Sequence, residues 1–141
     1  MSYDFREETS DGVRLLDQGS GIKCPICHAT LSSASVAETR VLHCETCRGV
    51  LAGQQVFPTI VKILRARASG PPDPPRPVNR EEMERRTYCP RCDRPVDTHP
   101  YYGPGNVVID TCIHCALVWL DYGELGTIVD APGRDRAGYD R

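Results

Sequence analysis

The chain has 141 residues, of which 40% are hydrophobic and only 6% aromatic, and it carries 12 prolines, 12 glycines and a formal charge of −2. This composition argues against one large apolar core and favours small, turn-rich units. The near-neutral charge is not the strongly basic signature of a typical nucleic-acid-binding protein, and no apolar run approaches the ~20 residues of a membrane span.

The N-terminal segment, residues 1–21, contains five acidic and two basic residues with few apolar ones. We predict that it is an acidic, mostly disordered segment that contributes at most a short strand near Val13. Its start lacks the basic region and apolar core of a signal peptide, so we expect a cytoplasmic protein. In a reducing compartment, eight cysteines serve as metal ligands or redox thiols more readily than as disulfides.

The first half, residues 22–68, contains two Cys-x2-Cys pairs, Cys24 with Cys27 and Cys44 with Cys47, separated by 16 residues. This spacing lies within the range of four-cysteine zinc sites. Residues 29–31 and 39–42 are predicted to form the two arms of a β-hairpin between the pairs.

A helical period follows over residues 56–67, and its apolar side chains cover a broad face. Pro58 suits only the first turn of a helix, so the regular helix is predicted to start near Phe57. The width of the face leads to the hypothesis of a contact with the other half or with a partner. The six partner-binding candidates are Val56, Phe57, Ile60, Val61, Ile63 and Leu64.

Residues 69–87 are predicted to be a linker, because five prolines occur within the nine residues 69–77. Such a sequence forms an extended, semi-rigid spacer. A charged lead-in follows it, where Asn79 is a suitable N-cap for a short helix.

The second half, residues 88–130, has the same order of features. Cys89 with Cys92 and Cys112 with Cys115 are separated by 19 residues. Residues 101–102 and 107–109 are predicted hairpin arms around a turn at 103–106. Trp119 is interpreted mainly as a cover for a metal site and less readily as a binding anchor.

A short helix is predicted after Asp121, because Asp121 and Glu124 have the spacing of a capping box. Leu125, Ile128 and Val129 give this helix one apolar face, and Pro132 is a stop signal. Residues 131–141 are predicted to be a flexible tail.

The two halves also align residue by residue beyond their last cysteines. Residues 49–51 correspond to 117–119, and Gly53 corresponds to Asp121. Two copies of a module of about 40 residues explain this pattern most simply.

Residues 88–130, and more weakly 23–66, resemble the bacterial transcription-factor zinc-finger family, the TFIIB-type zinc ribbons. The resemblance is carried by a Cys-Pro-x-Cys pair, a second Cys-x2-Cys pair and Trp-Leu-Asp-x-Gly-Glu-Leu at 119–125. It implies a small metal-stabilised α+β fold of two tandem zinc ribbons, each a β-hairpin plus a helix, joined by the proline-rich linker. It further implies two zinc ions, one held by Cys24, Cys27, Cys44 and Cys47 and the other by Cys89, Cys92, Cys112 and Cys115.

The sequence departs from the family pattern after the second cysteine of each pair. The family often has glycine there, whereas this chain has His28, Arg48, Asp93 and Ala116. Modules of this size bury too little apolar area to fold without metal, so structural zinc is the leading interpretation. The alternatives are iron in a rubredoxin-like site and thiol redox chemistry.

Four thiolates leave no open position for water on a zinc ion, so we expect no enzymatic activity. His28, His43 and His114 are interpreted as bystanders of the cysteines, and His99 as a hairpin residue. The resulting hypothesis is a non-enzymatic zinc-binding module that mediates protein–protein interaction, with no membrane and no small-molecule substrate. The first alternative is a nucleic-acid-binding or RNA-polymerase-associated transcription factor, and the second is a thiol or iron electron carrier. The basic residues behind the first alternative are Lys62, Arg65, Arg67, Arg76, Arg80, Arg85, Arg86 and Arg91.

Overall fold

A computed structural model of the chain describes residues 13–17, 21–68, 77, 79–101 and 106–132, with only the backbone described for 13–17. The predictions for the rest of the N-terminal segment, nearly all of the proline-rich part of the linker, most of the second hairpin turn and most of the tail lie outside these residues.

The described residues form seven strands and three helices. The strands are β1 (Val13–Asp17), β2 (Ser32–Val36), β3 (Thr39–His43), β4 (Val50–Gly53), β5 (Asp97–Pro100), β6 (Val108–Cys112) and β7 (Leu117–Leu120). The helices are α1 (Phe57–Arg67), α2 (Arg80–Met83) and α3 (Glu124–Asp130). The strands pair antiparallel in one sheet, in the order β1-β2-β3-β4-β7-β6-β5. Within the described part of the chain, no helix has the length and apolar character needed to cross a membrane.

In each half an antiparallel strand pair lies between the two cysteine pairs, β2 with β3 and β5 with β6, and its first strand differs from the predicted arm. β2 begins one residue after the predicted arm 29–31, because that segment instead pairs with residues 22–23 beside the first cysteine pair. β5 precedes the predicted arm at 101–102, where Tyr101 packs edge-to-face on Phe57 at 5.4 Å between ring centroids. β1 lies in the segment predicted to be mostly disordered, and it pairs with β2.

The two halves meet at the β4–β7 pair, in the middle of the sheet. Leu51 lies opposite Trp119, with Val50 opposite Leu120 and Ala52 opposite Val118 on either side. The N–H of Gln54 also donates to the carbonyl of Ala116 at 2.7 Å. The linker therefore does not separate two independent ribbons, since their hairpins belong to one sheet.

Helices α1 and α3 cover one face of this sheet and enclose an apolar core shared by the two halves. Val50, Ala52, Val118 and Leu120 project into it from the central strands, because their side chains alternate with Leu51 and Trp119. Of the six residues proposed for partner binding, Phe57, Ile60 and Val61 are buried in this core, Ile63 and Leu64 are partly buried against it, and Val56, just before α1, is exposed. The broad apolar face is thus used mainly within the chain.

Arg65, predicted to lie on the polar side of α1, is fully buried. Its guanidinium donates to the carbonyl oxygens of Ile128 at 2.5 Å and Ala131 at 2.9 Å, at the end of α3. The last carbonyls of a helix lack partners within the helix, so Arg65 caps α3 from the other half of the molecule.

The start of α3 departs from the predicted capping box. Glu124 does reach back, since its Oε1 accepts from the N–H of Asp121 at 2.9 Å. The Asp121 carboxylate instead accepts from Trp119 Nε1 at 2.9 Å and from Arg85. The other bond of a capping box, from a backbone N–H of the first helical turn to the Asp121 carboxylate, is therefore absent among the described residues. The helix begins at Glu124, after Gly123, whose φ is 88°. The Asn79 cap of α2 is confirmed, with its side chain accepting from the N–H groups of Glu81 and Glu82.

Candidate metal centres

The first candidate metal centre is formed by Cys24, Cys27, Cys44 and Cys47. Their sulfur atoms all lie within 4.8 Å of one another, and the Sγ atoms of Cys27 and Cys44 are 3.5 Å apart. A tetrahedral zinc ion with Zn–S bonds of about 2.3 Å places its sulfur ligands roughly 3.8 Å apart. The two pairs, brought together by the β2–β3 hairpin, are thus suited to hold one zinc ion.

The second centre repeats this arrangement with Cys89, Cys92, Cys112 and Cys115. Its sulfur atoms also lie within 4.8 Å of one another, and the Sγ atoms of Cys92 and Cys112 are 3.6 Å apart. Four thiolates are the ligand set of closed, structural zinc sites. None of the four histidines joins either cluster: His28 and His114 are exposed, His43 is buried, and His99 bonds to Thr111.

Each cysteine pair forms a tight turn whose backbone points at sulfur. The N–H of Cys27 donates to Cys24 Sγ at 3.4 Å, and the N–H of Cys47 donates to Cys44 Sγ at 3.2 Å. In the second half, the N–H of Arg91 donates to Cys89 Sγ and that of Cys115 donates to Cys112 Sγ, both at 3.4 Å. Such bonds stabilise the negative charge of a thiolate, so the turns prepare the sulfur atoms for a cation.

The residue after each pair has a left-handed backbone. The φ angles are 67° at His28, 66° at Arg48, 64° at Asp93 and 56° at Ala116. A residue with a Cβ atom is disfavoured there by roughly 1–2 kcal/mol. At these four positions the sequence departs from the glycine of the family that it resembles, and the left-handed φ angles show why glycine would suit them.

The thiols differ in acidity within each centre. The backbone N–H of Ala29 lowers the pKa of Cys27 to about 7, and that of Arg94 lowers the pKa of Cys92 to about 7. Burial raises the pKa of Cys24 and Cys89, and burial with neighbouring thiols raises the pKa of Cys115 to about 12. Four thiolates therefore repel one another unless a cation compensates their charge, which is what a divalent metal would do.

Trp119 packs against the first metal centre, although it belongs to the second half. It shares a buried cluster with Cys24, Cys44, Leu31 and Leu51. Gly49 makes this contact possible, because a Cβ atom there would lie 2.2 Å from the Trp119 ring. The sequence predicts that Trp119 covers a metal site, but no local pattern shows that it does so across the β4–β7 pair.

A polar network beside the second centre was missed by sequence reasoning. Arg85 donates to the carboxylates of Asp110 and Asp121. Asp110 is 1% exposed and also accepts from Thr98 Oγ1 at 2.6 Å. The three charged residues are far apart in sequence, so no spacing rule links them.

A comparison with known protein families supports the four-cysteine geometry in the second half of the chain. Residues 88–131 match the model of the transcription factor zinc-finger family, the TFIIB-type zinc ribbon. No curated protein and no solved structure matches the chain. The second half therefore matches a TFIIB-type zinc ribbon, and the first half contributes a second four-cysteine centre to a zinc-binding module.

Proposed function

We propose that this protein is a non-enzymatic module that recognises another protein on a scaffold stabilised by two zinc ions. Cys24, Cys27, Cys44 and Cys47 would hold one ion, and Cys89, Cys92, Cys112 and Cys115 the other. Zinc bound there would cross-link each hairpin through four thiolates and leave no open position for water. The role of the metal is thus structural, and recognition is left to the protein surface.

The observation that carries the proposal is a groove on the face of the sheet opposite the helices. Its cavity volume is about 200 Å³, and Ile22, Val41, Leu42, Leu51, Gly53 and Leu117 contribute to its lining. Arg40 from the first half and Arg91 from the second complete it. Neither guanidinium forms an ion pair with another described residue.

This lining favours one kind of occupant, an apolar segment of a partner protein flanked by carboxylates. The half-buried side chains of Ile22, Leu42 and Leu117 would contact the apolar part, and the two arginines would pair with the acidic residues. The groove is a better candidate than α1, because Phe57, Ile60 and Val61 are buried in the core.

The proposal includes a duplicated module. Cys112 follows Cys44 by 68 positions, and Trp119 follows Leu51 by the same 68. Leu51 and Trp119 also lie opposite each other at the centre of the β4–β7 pair. Equivalent residues that face each other are the mark of a twofold, isologous arrangement.

The test is binding of synthetic peptides to the zinc-loaded protein, measured by fluorescence polarisation. Peptides with an apolar centre flanked by Asp and Glu should bind, and the double variant Arg40→Glu, Arg91→Glu should reverse the preference toward peptides flanked by Lys. Lys62→Glu, an exposed charge reversal on α1, is the matched control and should change nothing. Equal binding of acidic peptides by wild type and the double variant would show that the groove is not the recognition surface.

A second candidate, binding of nucleic acid, is favoured by the transcription-factor description of the matching family. Against it, Arg65 is buried at the end of α3, and Arg85 is engaged by Asp110 and Asp121. Binding to mixed DNA or RNA with a steep salt dependence would favour this candidate over the first. Native mass spectrometry separates the two candidates from an iron or thiol electron carrier, since both candidates require two bound zinc ions. A zinc-loaded protein is also colourless, whereas an iron site absorbs visible light.

A further inference from the structure

Three carboxylates converge at the start of α3, separate from both cysteine centres. They belong to Glu82 on α2, Asp121 after β7 and Glu124 at the start of α3, and one oxygen from each lies within 4.8 Å of the others. Three chain segments thus bring acidic groups to one point.

Glu124 is the unusual member of this group, because it is only 8% exposed. Its Oε1 accepts from the N–H of Asp121, but its buried Oε2 has no hydrogen-bond partner among the described residues. Burying a carboxylate oxygen without a partner is costly, so the structure leaves an acceptor site open.

The acidic groups of this network outnumber the cation that pairs with them among the described residues. Arg85 is the one guanidinium bonded to this network among the described residues, and it already pairs with Asp110 and Asp121. Glu82 and Glu124 add two further carboxyl groups. Burial, followed by the charges of Asp121 and Glu82, raises the pKa of Glu124 to about 9.

The first half shows that this arrangement is not needed to start a helix. Gly53 and Val56 stand at the positions that correspond to Asp121 and Glu124. Helix α1 has no acidic residue in its first turn and no side-chain cap, yet it is longer than α3. Starting a helix at this place in the module therefore does not by itself require a buried carboxylate.

We propose that Glu82, Asp121 and Glu124 bind a hard divalent cation of the size of Ca²⁺, in a third metal site distinct from the two cysteine centres. Carboxylate oxygens are the preferred ligands of such ions, and Ca–O distances of about 2.3–2.6 Å allow ligand oxygens on opposite sides of the ion to be separated by roughly 4.8 Å. The orphan Oε2 of Glu124 would become a ligand, and the ion would displace the proton that this buried carboxyl group otherwise holds near neutral pH.

Trp119 offers a selective test, because it is the only tryptophan of the chain and its Nε1 donates to Asp121 Oδ1 at 2.9 Å. Tb³⁺ is a luminescent substitute for Ca²⁺ and would lie close enough to this indole to be sensitised by it. Tryptophan excitation of the zinc-loaded protein with Tb³⁺ should give sensitised emission that Ca²⁺ displaces. The zinc content should stay at two ions throughout.

Glu82→Gln and Glu124→Gln should each weaken Tb³⁺ and Ca²⁺ binding at least tenfold. Glu81→Gln, a neighbour on α2 outside the cluster, is the matched control and should leave binding unchanged. If Glu124→Gln fails to fold, Glu82→Gln decides, because no hydrogen bond of the Glu82 side chain supports the fold among the described residues. Absence of Ca²⁺-displaceable emission in the wild type, or wild-type binding by Glu82→Gln, would overturn the proposal.

Discussion

The two halves have almost the same metal centre but differ in how they use the residues after its last cysteine. In the first half, the long α1 supplies Phe57, Ile60 and Val61 to the shared core and Arg65 to the end of α3. In the second half, the short α3 begins in a network of charged residues, and Trp119 packs against the metal centre of the first half. Each half thus supplies side chains that pack against the other half.

This difference teaches that the cysteine centres and the shared core are separate sources of stability. The centres depend on short-range turns within each half, whereas the core depends on the β4–β7 pair and on contacts between α1 and α3. Variants aimed at one source therefore show how far the other depends on it.

Metal removal should have the largest effect, because structural zinc contributes about 10–16 kcal/mol in finger peptides. A strong chelator should abolish the β-sheet circular dichroism of the zinc-loaded protein. The shared core makes this loss cooperative: Cys92→Ser should also disorder the first half, which amide signals of β2 and β3 in NMR spectra would report. A first half that keeps its native signals in Cys92→Ser would contradict the interdependence.

Gly49→Ala should be the most damaging substitution outside the cysteines, with a loss of about 3 kcal/mol in the free energy of unfolding. The added Cβ would lie 2.2 Å from the Trp119 ring and 2.9 Å from the Leu120 carbonyl oxygen. Gly53→Ala, at the end of β4, is the control, because its added Cβ would lie 3.5 Å from the nearest atom, a methyl carbon of Val56. Urea unfolding should separate the two variants clearly, and equal midpoints would argue against the Trp119 packing.

Arg65→Met should lower the free energy of unfolding by about 2 kcal/mol, because the terminal carbonyls of α3 lose their charged donor while the aliphatic volume is kept. Lys62→Met changes an exposed residue of the same helix and should alter stability by less than about 0.5 kcal/mol. Hydrogen exchange gives a second readout: the amides of α3 should exchange faster in Arg65→Met. Unchanged exchange there would rule out the cap.

Ala116→Gly should have the smallest effect and the opposite sign, a gain of about 1 kcal/mol, because it relieves a left-handed backbone without removing a long side chain. His28→Gly should give a similar gain in the first half. Ala66→Gly, in the exposed part of α1, should instead cost about 1 kcal/mol. Thermal unfolding of the three zinc-loaded variants measures all these differences, and a destabilised Ala116→Gly would contradict the backbone geometry.

The sequence predicts the local features well. Cysteine spacing identifies both centres, Pro58 locates the start of α1, and Asn79 locates the start of α2, since each of these signals acts over a few neighbouring residues.

The features that sequence reasoning missed depend on pairing between distant segments. β4 and β7 are short apolar runs, and no turn of the chain connects them or indicates their partner. The helical period predicts that Arg65 lies on the same polar side of α1 as Lys62. Its burial depends on the position of the end of α3, which the period does not show. Asp121 has the spacing of a helix cap, but Arg85 and Trp119 compete for its carboxylate.

The most direct test of the shared core is to cut the chain between the two halves. A protease site inserted within residues 69–76 would allow the zinc-loaded protein to be cleaved after folding, and native mass spectrometry with size-exclusion chromatography would follow the fragments. We expect the fragments to remain one complex with two zinc ions, held by the β4–β7 pair and the α1–α3 contact. Two separated fragments, each folded with its own zinc ion, would contradict a core that the halves build together.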